Sequence, residues 1–291
     1  MVKQQFGGDW TADKLERLRK YLSAYTRVLS KQPFNIAYID AFAGTGYREL
    51  KNTDDPENSF LTELADVEPQ KFLEGSARIA LECEPAFHKY VFIEKDDKKL
   101  SELRAYLYKE FPQKEGCIDF ICGDANQIIQ DLCKRDWRFR RAVLFLDPYG
   151  MQVAWKTIHD IARTEAIDLW ILFPLGVAVN RMLPRDGNID QNWHRKLDEI
   201  FGRDDWFKAF YEENSQTSLF GEEVKMQKTA NFAIIMAYYV KRLKSVFNHV
   251  AENPLQLYNS RNNPLYGLFF AAGNPRGGKI AIRIAQHILG N

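Results

Sequence analysis

Four short apolar runs, each closing on an acid or a glycine turn, leave this sequence few folds to choose from. Phe34 to Asp40 runs into Ala41-Phe42-Ala43-Gly44-Thr45-Gly46, Tyr90 to Ile93 stops at Glu94, Ile118 to Cys122 stops at Gly123-Asp124, and Ala142 to Leu146 stops at Asp147-Pro148-Tyr149-Gly150. A fifth run, Ile167 to Phe173, ends in Pro174-Leu175-Gly176. Nearly continuous apolar strands of this length belong to a sheet buried on both faces. Helical periodicity fills the spaces between them, at Lys98 to Phe111, Asn126 to about Cys133, and Trp155 to Arg163. The alternation predicts an α/β domain with a parallel sheet and helices on both faces.

The flanks extend this plan. Asp9, Thr11 and Asp13 offer helix-start side chains, and Leu15, Leu18, Leu22, Tyr25 and Leu29 recur at helical spacing as far as Pro33. Gly75 and Ser76 open a short helix through Leu81. Charged, loop-like insertions are expected at about 47–74 and about 178–224, the second with a helix from Trp193 to Phe201. A long helix is expected from Lys225 to Phe247, then two strands, Leu255 to Asn259 and Leu265 to Ala272. Ser260-Arg261-Asn262-Asn263-Pro264 joins those strands, and a connection of this composition suits an antiparallel hairpin. A helix from about Lys279 to Leu289 follows. Residues 1–291 read as a single domain, without repeat or linker.

Composition removes several function classes. Lysine plus arginine number 40 against 39 acids, so a nucleic-acid contact has to come from a local patch. The four cysteines, at 83, 117, 122 and 133, show neither CxxC pairing nor a histidine at ligand spacing, which argues against zinc and for reduced thiols. The amino terminus lacks a signal-peptide core, and the longest apolar stretch, Phe232 to Val240, is half a membrane span. A cytoplasmic protein is expected.

In an open parallel sheet, ligands bind beyond the carboxyl ends of the strands, where the strand order reverses. The residues there form a series: Asp40 with the glycine loop, Glu94 with Lys95, Asp124 with Ala125, and Asp147-Pro148-Tyr149. Gly44 and Gly46 let backbone approach a ligand. Glu94 suits a ribose diol and Asp124 an adenine amino group, since each carboxylate accepts hydrogen bonds. An acid at one strand end is ordinarily a helix cap; acids at three later strand ends in series point to a nucleoside site. The loop GTGYREL lacks the third glycine of a dinucleotide fingerprint, and no GxxxxGK[ST] phosphate loop occurs.

The strings YIDAFAGTG, FIEKD, CGDAN and LFLDPYG, in this order behind an amphipathic helix and ahead of LYNSRNNPLYGLFFA, resemble the three-Cys-motif partner (TcmP) family. The resemblance runs from about Trp10 to the terminal helix. It implies a Rossmann-like class I methyltransferase sheet of seven strands with an antiparallel carboxy-terminal hairpin. It also implies S-adenosylmethionine held by Asp40, Phe42, Ala43, Gly44, Gly46, Glu94, Lys95, Asp124 and Ala125. A three-Cys-motif protein is the partner it suggests; the winged-helix extension carried by many members is not obvious here.

Asp147-Pro148-Tyr149-Gly150 is similar to the [DNS]PP[YF] and DPFG strings of nucleic-acid amino methyltransferases, with the second proline absent. Methyl transfer to an exocyclic amine needs the nitrogen lone pair turned toward the donor, so the enzyme must accept the amine's hydrogens and hold the base plane. Asp147 and the Pro148 carbonyl would accept, and Tyr149 would stack. The same tetrapeptide also makes an ordinary turn after a buried strand. Basic residues for a nucleic-acid substrate occur at Lys134, Arg135, Arg138, Arg140 and Arg141 around Trp137 and Phe139, and again from Asn180 to Lys196 with His194. The alternative expectation is a methyltransferase-fold partner protein that binds the cofactor without transferring methyl groups.

Overall fold

The computed structural model describes residues 10–44, 75–148, 150–218 and 221–290. Helix α1 (Trp10–Leu29) leads into β1 (Asn35–Asp40). After α2 (Ser76–Leu81) come β2 (Lys89–Glu94), α3 (Asp97–Glu110), β3 (Ile118–Cys122), α4 (Ala125–Cys133), β4 (Arg140–Leu146), α5 (Trp155–Arg163) and β5 (Ile167–Phe173). Beyond β5 lie α6 (Gln191–Phe201), α7 (Trp206–Phe210), β6 (Tyr211–Ser218), β7 (Gly221–Lys228), α8 (Phe232–Lys244), β8 (His249–Val250), β9 (Leu255–Tyr258), β10 (Pro264–Ala272) and α9 (Gly278–Gly290).

Strands β1 to β5 are parallel and stand in the order β3-β2-β1-β4-β5. The order therefore reverses between β1 and β4, which places the ligand crevice of an open α/β sheet at the carboxyl ends of those two strands. Strand β10 runs antiparallel beside β5, and both β8 and β9 pair antiparallel with β10. The expected hairpin is present, and Asn262 takes a positive φ of 57° in its turn. The sheet has eight strands where seven were expected, because its edge is built from two pieces, β8 and β9, along one neighbour. Pro254 stands between the pieces and has no amide hydrogen to give to a ladder.

Alternation along each strand sends side chains to two separate cores. Ala142, Leu144 and Leu146 face α4, α5, α6 and α8, whereas Val143 and Phe145 face α1, α2, α3 and α9. All five β4 side chains are at most 1% exposed. Burial of each large apolar side chain of this kind stabilises by roughly 1.5 to 3 kcal/mol. The strand therefore holds its carboxyl end, and the loop after it, in a fixed position.

Two expectations need correction. The helix placed at Lys225–Phe247 starts later, at Phe232, where the Asn231 side chain accepts the Ile234 amide hydrogen at 3.0 Å. Lys225 to Lys228 belong instead to β7, paired with β6 in a separate two-stranded ribbon. The expected loop region up to Val224 accordingly contains a strand pair, closed by a two-residue connection between Ser218 and Gly221. The ribbon lies off the main sheet and carries polar residues at most positions. It therefore shows no apolar alternation, and the apolar run of α8 pulled the expected helix boundary backward. The insertion expected at about 47–74 lies outside the described residues.

Candidate functional site

The site is built where β1, β2, β3 and β4 end. Asp40, the last residue of β1, is 1% exposed. Its carboxylate accepts the Phe42 amide hydrogen at 3.3 Å, the Tyr38 hydroxyl at 3.2 Å and the Ser76 hydroxyl. Burial pushes its carboxyl up to about 6, the Ser76 hydrogen bond opposes that rise, and the charge of Asp147 adds to it. Asp40 is thus turned inward, where it fixes the first turn of the glycine loop and ties that loop to α2.

The loop crosses the sheet toward β2, with the Ala43 amide donating to the Ile93 carbonyl at 3.0 Å. Ala43 is buried and Phe42 half-buried. A Cβ on Gly44 would overlap Oε2 of Glu94, so this position has room only for glycine while Glu94 keeps its place. Glu94 is half-buried, and its Oε1 accepts the Asp96 amide hydrogen at 2.9 Å. Asp96 caps α3, accepting from the Lys98 and Lys99 amides. Lys95 between them is exposed, and its carbonyl accepts from the Cys122 thiol at 3.6 Å.

At the end of β3 the Gly123 amide donates to the Glu94 carbonyl at 3.0 Å, and Gly123 takes a φ of +152°, a conformation that glycine adopts readily. Asp124 is exposed and caps α4, its side chain accepting the Gln127 amide hydrogen at 3.1 Å. Ala125 begins that helix and is buried. Glycine loop, Glu94 and Asp124 therefore lie in one connected sequence of backbone contacts across neighbouring strand ends.

Asp147 follows β4 on the far side of the reversal point. Its carboxylate is paired with the ammonium group of Lys14, whose side chain is 1% exposed against 19% for Asp147. The ammonium also lies over the indole ring of Trp10, 4.8 Å from its centroid. Pro148 is buried. The loop beyond is fastened by Asn126 of α4, which donates to the Gln152 carbonyl at 2.7 Å and accepts from the Ala154 amide at 3.0 Å and the Thr157 hydroxyl at 2.8 Å. Gly46 and Tyr149 lie outside the described residues.

Sequence reasoning missed Lys14, Ser76 and Asn126. Nothing in helical periodicity marks Lys14 as different from a solvated lysine; only its partner 133 residues away does so. Asn126 stood in the quoted string CGDAN, and a polar side chain directly after a strand-end acid was the available signal.

The basic stretch around Trp137 and Phe139 sits at the beginning of β4, on the edge of the sheet opposite the strand-end acids. Arg138 pairs with Asp136, Lys134 with Asp131, and Arg141 stacks on Phe34 at 3.9 Å. His194 is held by Asp198 at 3.1 Å and packs on the Trp206 ring. A cavity of about 390 Å³ opens on that same opposite edge, between Leu29–Ile36 and Pro85–His88. It contains none of the strand-end acids. Among the described residues no cluster of histidine, cysteine and acids suits a metal ion, and no helix is long and apolar enough to cross a membrane.

No family model matches the chain, and no curated protein matches it. Solved structures do. Protein LPL1258 from Legionella pneumophila str. Philadelphia 1, described under the family model DUF519, is 12% identical and superposes with a TM-score of 0.50, covering 97% of this chain and 92% of that one. Spermidine synthase from Thermotoga maritima is 10% identical, with a TM-score of 0.38 over 91% of this chain and 60% of that one. The methyltransferase domain of bacterial CtHen1-C is 11% identical, with a TM-score of 0.36 over 88% and 99%. At such identities a likeness speaks for fold alone, and of these three the Legionella protein superposes closely enough to do so. The strand order, the antiparallel β10 and the helices on both faces make this chain a Rossmann-like α/β fold, a mostly parallel sheet with an antiparallel carboxy-terminal hairpin.

Proposed function

We propose that this chain is an S-adenosylmethionine-dependent methyltransferase acting on an exocyclic amine of a nucleobase in DNA or RNA. The observation that supports it best is the convergence of Gly44, Glu94 and Asp124 at adjoining strand ends, with Asp147 across the reversal point. The residues fit the cofactor. Gly44 gives the Glu94 carboxylate the place that a Cβ would take and so sets it beside the glycine loop, and the acids are acceptors of the kind that ribose hydroxyls and an adenine amino group require. Gly44 with Phe42 and Ala43 would border the cofactor, Glu94 with Lys95 would take its ribose, and Asp124 with Ala125 its base. Asp40 would hold the glycine loop in shape from within.

When bound, S-adenosylmethionine would supply an electrophilic methyl group for transfer from its sulfur to the acceptor nitrogen. Asp147 accepts a hydrogen of the acceptor amine and so turns the nitrogen lone pair toward that methyl group. The Pro148 carbonyl offers a second acceptor, Tyr149 a stacking surface, and the nitrogen afterwards loses a proton to Asp147 or water. Catalysis of this kind rests on orientation, and no covalent nucleophile is required.

The motif order supports placing the chain with the three-Cys-motif partner family, and hence beside a three-Cys-motif protein. A second reading, cofactor binding without methyl transfer in assembly with such a partner, draws on the β6–β7 ribbon, which stands apart from the main sheet. Incubation with labelled S-adenosylmethionine and mixed DNA and RNA separates the two. Transfer that is lost in Asp147→Asn and Asp147→Ala supports the enzyme; cofactor binding without any transfer favours the partner.

A further inference from the structure

Lys14 has no part in the expected motifs, yet it is paired with Asp147, where the acceptor would enter. Lys14 comes from α1, its side chain is buried, and it spans 133 residues to reach the loop after β4. A buried ion pair contributes little net stability compared with an apolar pair of the same shape, because both charges are stripped of water. Stability alone therefore gives a weak reason for a lysine here. A second observation comes from the same turn of α1. Thr11 and Trp10 lie three and four residues before Lys14 and so share its helix face. The Thr11 hydroxyl and the Trp10 indole nitrogen are both buried without a hydrogen-bond partner, although Thr11 is only 8% exposed. Buried polar atoms are nearly always partnered in folded proteins, so two orphans beside the pair suit a polar ligand.

We propose that Lys14 is a positioning residue for Asp147, fixing one carboxylate oxygen so that the other faces an acceptor amine, with the first turn of α1 forming a wall of the acceptor site. The proposal rests on the methyltransferase reading above and adds to it a part of the chain outside the strand-end series. Lys14 does two things in this arrangement. It holds the carboxylate in one orientation, and it occupies one carboxylate oxygen so that the other is left to accept from the amine. The like charge of Asp40 interacts with that of Asp147 from β1, where Tyr38 also faces the pair. The Trp10 indole can donate to a ring nitrogen or carbonyl next to the amine, which matches the donor-beside-acceptor edge of an amine-bearing base.

The test compares the full chain with Lys14→Met, Lys14→Arg, Asp147→Asn and the Lys14→Met/Asp147→Asn double variant. Cofactor affinity is read by calorimetry, and methyl transfer as kcat and KM. Lys14→Met is expected to leave cofactor Kd within about threefold and to lower kcat by about 10- to 100-fold. The loss should fall on kcat and leave the acceptor KM within about threefold, as expected of a group that orients Asp147 without binding the base itself. Lys14→Arg should restore most of the activity, and the double variant should be no worse than Asp147→Asn alone. An unchanged kcat in Lys14→Met overturns the proposal, as does a loss that Lys14→Arg fails to recover. Failure of the unaltered protein to bind the cofactor overturns instead the reading on which the proposal stands.

Discussion

Raising the pH from about 5 to about 7.5 should destabilise this protein by about 3 kcal/mol, and Asp168→Asn should remove about half of that loss. Asp168 lies in β5, buried, where its carboxylate accepts the Tyr21 hydroxyl at 2.7 Å and the Gly273 amide at 3.0 Å. Burial pushes its carboxyl up to about 6, as it does for Asp40. In the unfolded chain both titrate near about 3.9. Between those values the native state holds more protons than the unfolded state, so stability is greatest at the acid end and is lost as pH rises through about 6. A difference of about 2 pKa units at about 1.4 kcal/mol each gives about 3 kcal/mol per group over the whole titration. About half of it, near 1.4 kcal/mol per group, falls within the chosen window. Carboxylates held low behave oppositely but elsewhere: Asp136, at about 2 beside Arg138, titrates below about pH 4. Urea unfolding followed by circular dichroism at several pH values measures the slope. Wild-type stability that rises with pH across the window, or an Asp168→Asn slope equal to wild type, refutes the reasoning.

Other substitutions probe the site and its supports. Glu94→Ala should weaken S-adenosylmethionine binding by about 1.5 to 3 kcal/mol with little change in thermal midpoint, as read by calorimetry and melting. Gly176→Ala should cost about 1 to 3 kcal/mol in urea unfolding, because the added Cβ would overlap the Pro264 carbonyl oxygen, and backbone yields less easily than a side chain. Asn126→Ala breaks three hydrogen bonds between α4 and the loop after β4. A loss of about 2 to 3 kcal/mol is expected, with methyl transfer falling more than cofactor affinity; equal falls in both would place the loop's influence at the cofactor instead.

The central sheet was legible because β1, β2, β4 and β5 are mostly buried, and continuous apolar runs survive in the sequence as a direct image of that burial. Their terminal acids and glycines were legible for the same reason, since strand ends in such a sheet are where the chain must turn. The ribbon β6–β7 was not, because a two-stranded arm off the main sheet has no apolar face to impose a period of two. Lys225 and Met226, next to an apolar helix, then read as that helix's first turn. The two-residue strand β8 is set by pairing with Ala271 and Ala272, a tertiary contact with no local signal. Lys14 illustrates the same limit at the site: on α1 it occupies an ordinary helical position, and its pairing with Asp147 is a contact across 133 residues with no local signal. Asp40 was legible as a strand-end acid, but its inward turn toward Tyr38 and Ser76 depended on α2 being packed against β1.

The most direct test of the central claim is calorimetric titration of the purified chain with S-adenosylmethionine, beside Gly44→Val. The account predicts saturable binding to the unaltered protein and a loss of at least about tenfold in affinity for Gly44→Val, with a retained cooperative melt. No heat of binding to the unaltered protein, or equal binding by Gly44→Val, would contradict the placement of the cofactor at the ends of β1, β2 and β3.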